Sequence, residues 1–190
     1  MSIQTTSARG PAATRLLTAG TCARIVLAPV VMALVLIGEN AELPAAALFA
    51  FAAATDYWDG WLARRWGITT TLGSFLDTTA DKLLVTGVLI SLVEANRVST
   101  WIAAVIVGRE LVILGLRGAV AVDGATITPS IWGKLKAGIQ FVAIIFAILR
   151  PGEPIAGTLY FDEYLMLAAA VITVLSAADY LQKFASALRG

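Results

Sequence analysis

Six apolar stretches, separated by short polar breaks, constrain the fold of this chain more than any other feature of its sequence. Each stretch approaches the roughly 20 residues that a helix needs to cross the hydrocarbon core of a bilayer. Only 14% of the residues are charged, against about 25% in soluble domains. The pattern therefore predicts an all-α, polytopic membrane protein with six transmembrane helices, at about residues 18–37, 44–63, 72–93, 100–121, 131–149 and 160–182.

Lysine and arginine are distributed unevenly between the two sides of this predicted bundle. If the amino terminus is cytoplasmic, only Arg97 and Arg150 fall on the far side, and the other loop and terminal cations fall on the cytoplasmic side. The positive-inside rule favours this orientation. We therefore expect a cytoplasmic amino-terminal arm at 1–17, a six-helix domain at 18–183 and a cytoplasmic tail at 184–190, in the inner (cytoplasmic) membrane of the cell.

Four aspartates within 26 residues stand out in so apolar a chain: Asp56, Asp59, Asp77 and Asp81. The first two are three residues apart and the last two are four apart, so the members of each pair share a helix face. Both pairs lie at the cytoplasmic ends of the second and third predicted helices. Four uncompensated carboxylates in a partly desolvated space would repel one another. One or two divalent cations would relieve this repulsion, and oxygen ligands without histidine or cysteine indicate Mg²⁺, Mn²⁺ or Ca²⁺.

Small and basic residues are interleaved with these acids. Gly60 and Ala63 leave a strip of the second helix free of bulky side chains, and Gly73 does the same at the start of the third. Arg64 offers a planar fork that matches phosphate oxygens. Because the chain has no histidine, the commonest general base is excluded. Carboxylates, cations and metal must carry any catalysis, and the combination favours phosphoryl transfer with a metal-bound diphosphate.

The same residues match the signature of a known family. The pattern D-x-x-D-G-x-x-A-R-x8-G-x-x-x-D-x-x-x-D is that of the CDP-alcohol phosphotransferases, and all eight fixed positions are present between Asp56 and Asp81. Residues 16–24, 56–66, 108–111 and 133–136 resemble the phosphatidylglycerolphosphate synthases within that family. The resemblance implies transfer of a phosphatidyl group from CDP-diacylglycerol to glycerol 3-phosphate, with release of CMP.

The resemblance also implies roles for individual residues. The four aspartates would bind two Mg²⁺ or Mn²⁺ ions, and Asp81 would act as general base toward the acceptor hydroxyl. The binding site for CDP-diacylglycerol would include Asp59, Gly60, Ala63, Arg64 and Gly73. The alanine-rich spans and the family together suggest a homodimer.

Cations of the later helices are predicted to face the same side of the membrane as the acids. If they converge on one pocket, they would suit the dianionic phosphate of the acceptor, although they could instead serve only as positive-inside anchors. Glu110 is expected to pair with a nearby cation, Lys82 either balances the charge of the site or extends outward, and Arg24 either reaches the interface or faces a polar cavity. The candidates for the acceptor phosphate are Arg109, Arg117, Lys134 and Lys136.

Three other functions compete with this interpretation. A sibling enzyme with another acceptor, such as inositol phosphate, would use the same cations. A metal-ion transporter would need acids near mid-membrane and ionisable groups on both sides, whereas here both kinds of residue are predicted on one face. A non-catalytic scaffold would tolerate loss of the acids. Nucleic acid is not indicated as a partner, since no basic low-complexity run is present.

Overall fold

Helices account for most of the chain that the structure describes. The structure is a computed structural model that describes residues 10–66, 71–122, 131–155 and 159–187. Its helices are α1 (Gly10–Ile37), α2 (Glu42–Trp66), α3 (Thr71–Glu94), α4 (Thr100–Val122), α5 (Ile131–Leu149) and α6 (Phe161–Ala187). In these ranges the only β pairing is an isolated bridge between Ile155 and Leu159. The predicted all-α fold and its six helices are therefore confirmed for the described residues.

The first helix begins earlier than the apolar stretch predicts. It starts at Gly10 rather than near residue 18, so residues 10–17 of the predicted arm are helical. Pro11 falls in the first turn, where its missing N–H leaves no intrahelical bond unmade, and the alanines that follow favour a helix. Apolarity did not reveal this extension because it reports burial or lipid contact rather than helix propensity. Residues 1–9 of the arm lie outside the described residues.

Local hydrogen bonds explain where other helices begin and end. After α3, Asn96 adopts the left-handed conformation with φ of 55°. The N–H of Arg97 donates to the carbonyl of Leu92 at 2.9 Å, which is the closing bond of a Schellman motif. At the start of α6, the N–H of Tyr160 donates to Oε2 of Glu163 at 2.7 Å, as in one half of a capping box.

Small residues bring the helices close together in the core. Ala45, Ala46 and Ala52 of α2 are buried, as the alanine-rich second stretch predicts, and small side chains allow helix backbones to approach. The Phe49 ring stacks on the Phe141 ring with their centroids 5.4 Å apart. This contact joins α2 to α5 inside the main apolar cluster.

A glycine of α3 lies against a methionine side chain of α1. A Cβ atom added at Gly87 would lie 2.6 Å from Sδ of Met32, well inside van der Waals contact. The glycine therefore lets α1 lie against α3, and this packing brings polar residues of α1 within reach of the acids on α3.

Large apolar side chains also cover the outside of the bundle, as expected for a surface in contact with lipid or a partner. Among the described residues, two helical segments are long and apolar enough to cross a membrane, Gly20–Ile37 and Phe161–Ala185. The apolar stretches Glu42–Thr55 and Leu135–Leu149 are shorter. Six membrane spans thus remain a prediction. The exposed apolar residues include Val26, Leu43, Phe51, Trp101 and Leu167.

Two arginines link several helices at one end of the bundle. Arg97 pairs with Glu42 of α2 and donates from Nη1 to the carbonyl oxygen of Ile148 at 2.5 Å. Arg150 lies with Nε 3.6 Å from Oδ2 of Asp162, whose side chain is fully buried. We call this group the far-end cluster; it consists of Glu42, Arg97, Arg150, Asp162 and Glu163.

Replacing Arg97 with methionine is expected to lower the midpoint of thermal unfolding by several degrees. The change removes one ion pair and one hydrogen bond to a carbonyl, and bonds to charged groups contribute about 1.5–3 kcal/mol. The measurement is thermal unfolding of the purified protein in detergent. The control is Lys183→Met, because the Lys183–Asp179 pair is a partly exposed i,i+4 pair at 3.0 Å that is worth about 0.5 kcal/mol or less. Equal losses in both variants would contradict a stabilising role for the far-end cluster.

Candidate active site

The four acids of the motif lie on α2 and α3, as the sequence predicts. Asp56 and Asp59 fall in the last part of α2, and Asp77 and Asp81 fall one turn apart in the first half of α3. Of these four, only the α3 pair has described side chains. The predicted donor site and the predicted metal site thus stay predictions. The motif residues whose side chains lie outside the described part are Asp56, Asp59, Gly60, Ala63, Arg64 and Gly73.

Asp77 faces α1. Nη2 of Arg24 donates to Oδ1 of Asp77 at 2.5 Å, and the Thr21 hydroxyl donates to the same oxygen at 3.5 Å. The Arg24 side chain is 1% exposed and that of Asp77 is 36% exposed. Of the two alternatives left open for Arg24, the structure selects the second: the guanidinium faces polar groups inside the protein rather than the interface.

Asp81 is connected to α4 through its neighbour in sequence. Nζ of Lys82 lies 3.0 Å from Oδ2 of Asp81 and 2.5 Å from Oε2 of Glu110. Lys82 therefore balances charge within the site, which is the first of the two roles left open for it. The contact also ties α3 to α4 at the depth of Asp81.

Glu110 gathers cations from three helices. Its Oε1 lies 3.1 Å from Nη1 of Arg109, and the same oxygen accepts a hydrogen bond from Nζ of Lys136 on α5. The Lys136 and Glu110 side chains are 5% and 6% exposed. The expectation that Glu110 pairs with a nearby cation is confirmed. We call this group the Glu110 cluster; it consists of Lys82, Arg109, Glu110 and Lys136.

The other two predicted acceptor-binding cations are not part of the Glu110 cluster as described. The Arg117 guanidinium lies over the Tyr180 ring on α6, 5.6 Å from its centroid, two turns along α4 from Arg109. The Lys134 side chain lies outside the described residues. The structure thus brings Arg109, Lys136 and Lys82 together and places Arg117 against Tyr180 of α6.

Ser176 belongs to this region although the sequence did not single it out. Its hydroxyl accepts a hydrogen bond from Nη2 of Arg109 at 2.8 Å, and its side chain is buried. The available signal was a small polar residue in the middle of the apolar α6, because such residues tend to face other helices rather than lipid. The bond holds the Arg109 fork between α4 and α6.

The described acids have the chemistry that a hard divalent cation requires, but they are only part of a site. Asp77 and Asp81 are one turn apart, each about one-third exposed, and a carboxylate can accept several interactions at once. No group of three or more acids, histidines or cysteines is assembled by the side chains that the structure describes. A complete site would need Asp56 and Asp59, and their all-oxygen donor set fits Mg²⁺ or Mn²⁺.

A helical bundle with paired acids beside a cation cluster is an arrangement suited to transferring phosphate esters. The profile of the family described as CDP-alcohol phosphatidyltransferase matches residues 18–175. The chain belongs to the CDP-alcohol phosphatidyltransferase family, so the resemblance read from the motif is confirmed, and the chain is a phosphatidyltransferase.

Relatives resemble the chain over most of its length. A CDP-diacylglycerol–glycerol-3-phosphate 3-phosphatidyltransferase of Bacillus subtilis is 34% identical over 184 residues, which cover 89% of this chain and 94% of the relative. A protein of the same name from Sodalis glossinidius is 38% identical over 164 residues, covering 83% of this chain and 88% of the relative. A third, from Rickettsia typhi, is 34% identical over 164 residues, covering 84% and 91%.

Proposed function

We propose that this chain transfers a phosphatidyl group from CDP-diacylglycerol to glycerol 3-phosphate, giving phosphatidylglycerol phosphate and CMP. The observation that carries the proposal is its similarity, over more than four-fifths of the chain, to relatives named for that reaction. The complete acidic motif and the Glu110 cluster beside it supply residues of the required chemistry.

In the proposed step, the primary hydroxyl oxygen of glycerol 3-phosphate forms a bond to the β-phosphorus of the donor. The bond from that phosphorus to the bridging oxygen breaks, and CMP leaves with the electron pair. Asp81 takes the proton of the attacking hydroxyl. Its position supports this role, because Lys82 contacts the carboxylate through Oδ2 and the side chain is 34% exposed.

The phosphate of the acceptor would bind to cations. Arg109 and Lys136 carry this part of the proposal because the structure gathers them around Glu110, and Arg109 presents a fork suited to phosphate oxygens. Arg117, near the carboxyl end of α4, and Lys134, near the start of α5, are proposed to extend the same site.

The donor would bind to the motif residues of α2 and α3. We assign Asp56, Asp59, Asp77 and Asp81 to two Mg²⁺ or Mn²⁺ ions, which when bound would neutralise charge on the donor diphosphate. Gly60, Ala63 and Gly73 would leave room for the donor beside the helix backbones. Arg64 would contact its phosphate oxygens, and Asp59 would also belong to this donor site.

The proposed location is the inner membrane, with six spans and with both termini and the active site on the cytoplasmic side. The apolar surface supports membrane embedding, and the distribution of lysine and arginine supports the orientation. We also propose a homodimer, on the basis of the family and the alanine-rich helices.

An acceptor assay tests the proposed reaction. Purified protein is given CDP-diacylglycerol together with glycerol 3-phosphate, inositol phosphate or glycerol in separate reactions, and the lipid product is identified by mass. We expect turnover with glycerol 3-phosphate and very little with glycerol, which has no phosphate for the cations. If inositol phosphate is the only acceptor that gives a lipid product, the protein catalyses the sibling reaction instead. Metal uptake into liposomes without CMP release would favour a transporter.

Removal of divalent metal is expected to stop the reaction. Excess chelator should abolish CMP release, and added Mg²⁺ or Mn²⁺ should restore it, because the diphosphate of the donor carries charge that the acids alone would repel. CMP release is measured before chelation, after it and after metal is added back. Undiminished release in excess chelator would contradict the proposed metal site.

A further inference from the structure

Glu110 lies at the centre of the cation cluster, yet the proposed reaction gives it no task of its own. Its carboxylate lies 2.5 Å from Lys82 of α3, 3.1 Å from its neighbour Arg109, and in contact with Lys136 of α5. One carboxylate carries a single negative charge, whereas three cations contact Glu110. Glu110 is therefore surrounded by more positive charge than its own negative charge balances.

The excess positive charge identifies what the arrangement can bind. Lys82 is shared between Glu110 and Asp81, whereas Arg109 and Lys136 both contact Glu110. Both are largely buried, so without Glu110 they would repel each other in a poorly solvated place. With Glu110 counted, the two cations leave a net positive charge, which attracts an anion such as a phosphate monoester.

We infer that Glu110 is a positioning residue that holds Arg109 and Lys136 in place for the phosphate of the acceptor, an inference that rests on the proposed function. Glu110 does not touch the substrate; it fixes the two groups that do. Ser176 orients the same guanidinium from α6 through its 2.8 Å hydrogen bond. Because the Arg109 and Lys136 side chains are already in place before glycerol 3-phosphate arrives, binding does not have to order them.

This role predicts that loss of the Glu110 charge affects one substrate and spares the other. In Glu110→Gln the amide keeps the shape of the side chain but no longer balances the two cations. The KM for glycerol 3-phosphate should rise by about tenfold or more, whereas the KM for CDP-diacylglycerol should stay within about twofold. Glu110→Asp, which keeps the charge, should show a smaller rise. The matched control is Glu42→Gln in the far-end cluster, which should change neither KM.

A double-variant cycle tests whether Glu110 acts through Lys136. Glu110→Gln, Lys136→Met and the double variant are compared by the KM for glycerol 3-phosphate and by the melting-temperature shift that glycerol 3-phosphate causes without donor. If Glu110 works by holding Lys136, the rise in KM in the double variant should be smaller than the product of the single rises. A rise equal to that product would overturn the inference, as would equal changes in KM for both substrates.

The same comparison remains decisive if Glu110→Gln does not fold. Glu110→Asp then takes its place, and an unchanged KM for glycerol 3-phosphate in that variant would overturn the inference. Failure of the wild-type protein to use glycerol 3-phosphate would refute the proposed function. Wild-type turnover with an unaltered acceptor KM in the Glu110 variants would refute the positioning role alone.

Discussion

Replacing Asp81 with asparagine is expected to lower CMP release by at least about 10²-fold, the usual contribution of a general base. Asparagine keeps the shape of the side chain but cannot take the proton of the acceptor hydroxyl. Lys82 keeps its contact with Glu110 at 2.5 Å, so the variant should still fold. The measurement is the initial rate of CMP release at saturating concentrations of both substrates.

Asp179→Asn is the matched control for this variant. Asp179 is also an acid on a helix with a lysine partner, at 3.0 Å in its pair with Lys183, but it lies near the end of α6, outside the proposed site. Its rate should equal that of the wild type. Retention of most activity in Asp81→Asn would exclude Asp81 as the base and as a required metal ligand.

Replacing Lys136 with methionine is expected to raise the KM for glycerol 3-phosphate by about 10- to 100-fold. The change removes a buried cation that would contact a dianion, and charge-assisted bonds of this kind are among the stronger ones. Methionine fills a similar volume, and Glu110 keeps Lys82 and Arg109 as partners, so the helices should remain packed. Initial rates measured over a range of acceptor concentrations separate KM from kcat.

Two comparisons accompany Lys136→Met. In this variant the KM for CDP-diacylglycerol should change by no more than about twofold. In Lys183→Met the KM for glycerol 3-phosphate should also change by no more than about twofold, because Lys183 is an exposed cation near the end of α6. A fall in kcat with no change in the acceptor KM would show that Lys136 does not bind the acceptor phosphate.

The helices could be predicted from the sequence because each one coincides with a long apolar stretch. The exact start of α1 could not, since residues 10–17 form a helix through propensity and a favourable proline rather than through apolarity. The sequence predicts six membrane spans, whereas two of the described helical segments are long and apolar enough to cross a membrane. The difference arises because polar residues of the site interrupt α2, α3, α4 and α5.

The candidate site was predictable only as far as spacing along one helix determines it. A separation of four residues predicts Asp77 and Asp81 on one side of α3, and the structure is helical across both residues. Their partners could not be derived in this way, because Arg24 and Glu110 reach them from other helices. Arg109 and Arg117 are grouped in the sequence because both are predicted on the side of the acids, and the contact of Arg117 with the Tyr180 ring of α6 depends on tertiary packing.

Lys82 gives the contact between α3 and α4 a further consequence. Its ammonium group lies between two carboxylates that belong to different helices, 3.0 Å from one and 2.5 Å from the other. One lysine thus offsets charge on both acids. The charge balance at Asp81 therefore depends on how α4 packs against α3, and not on α3 alone.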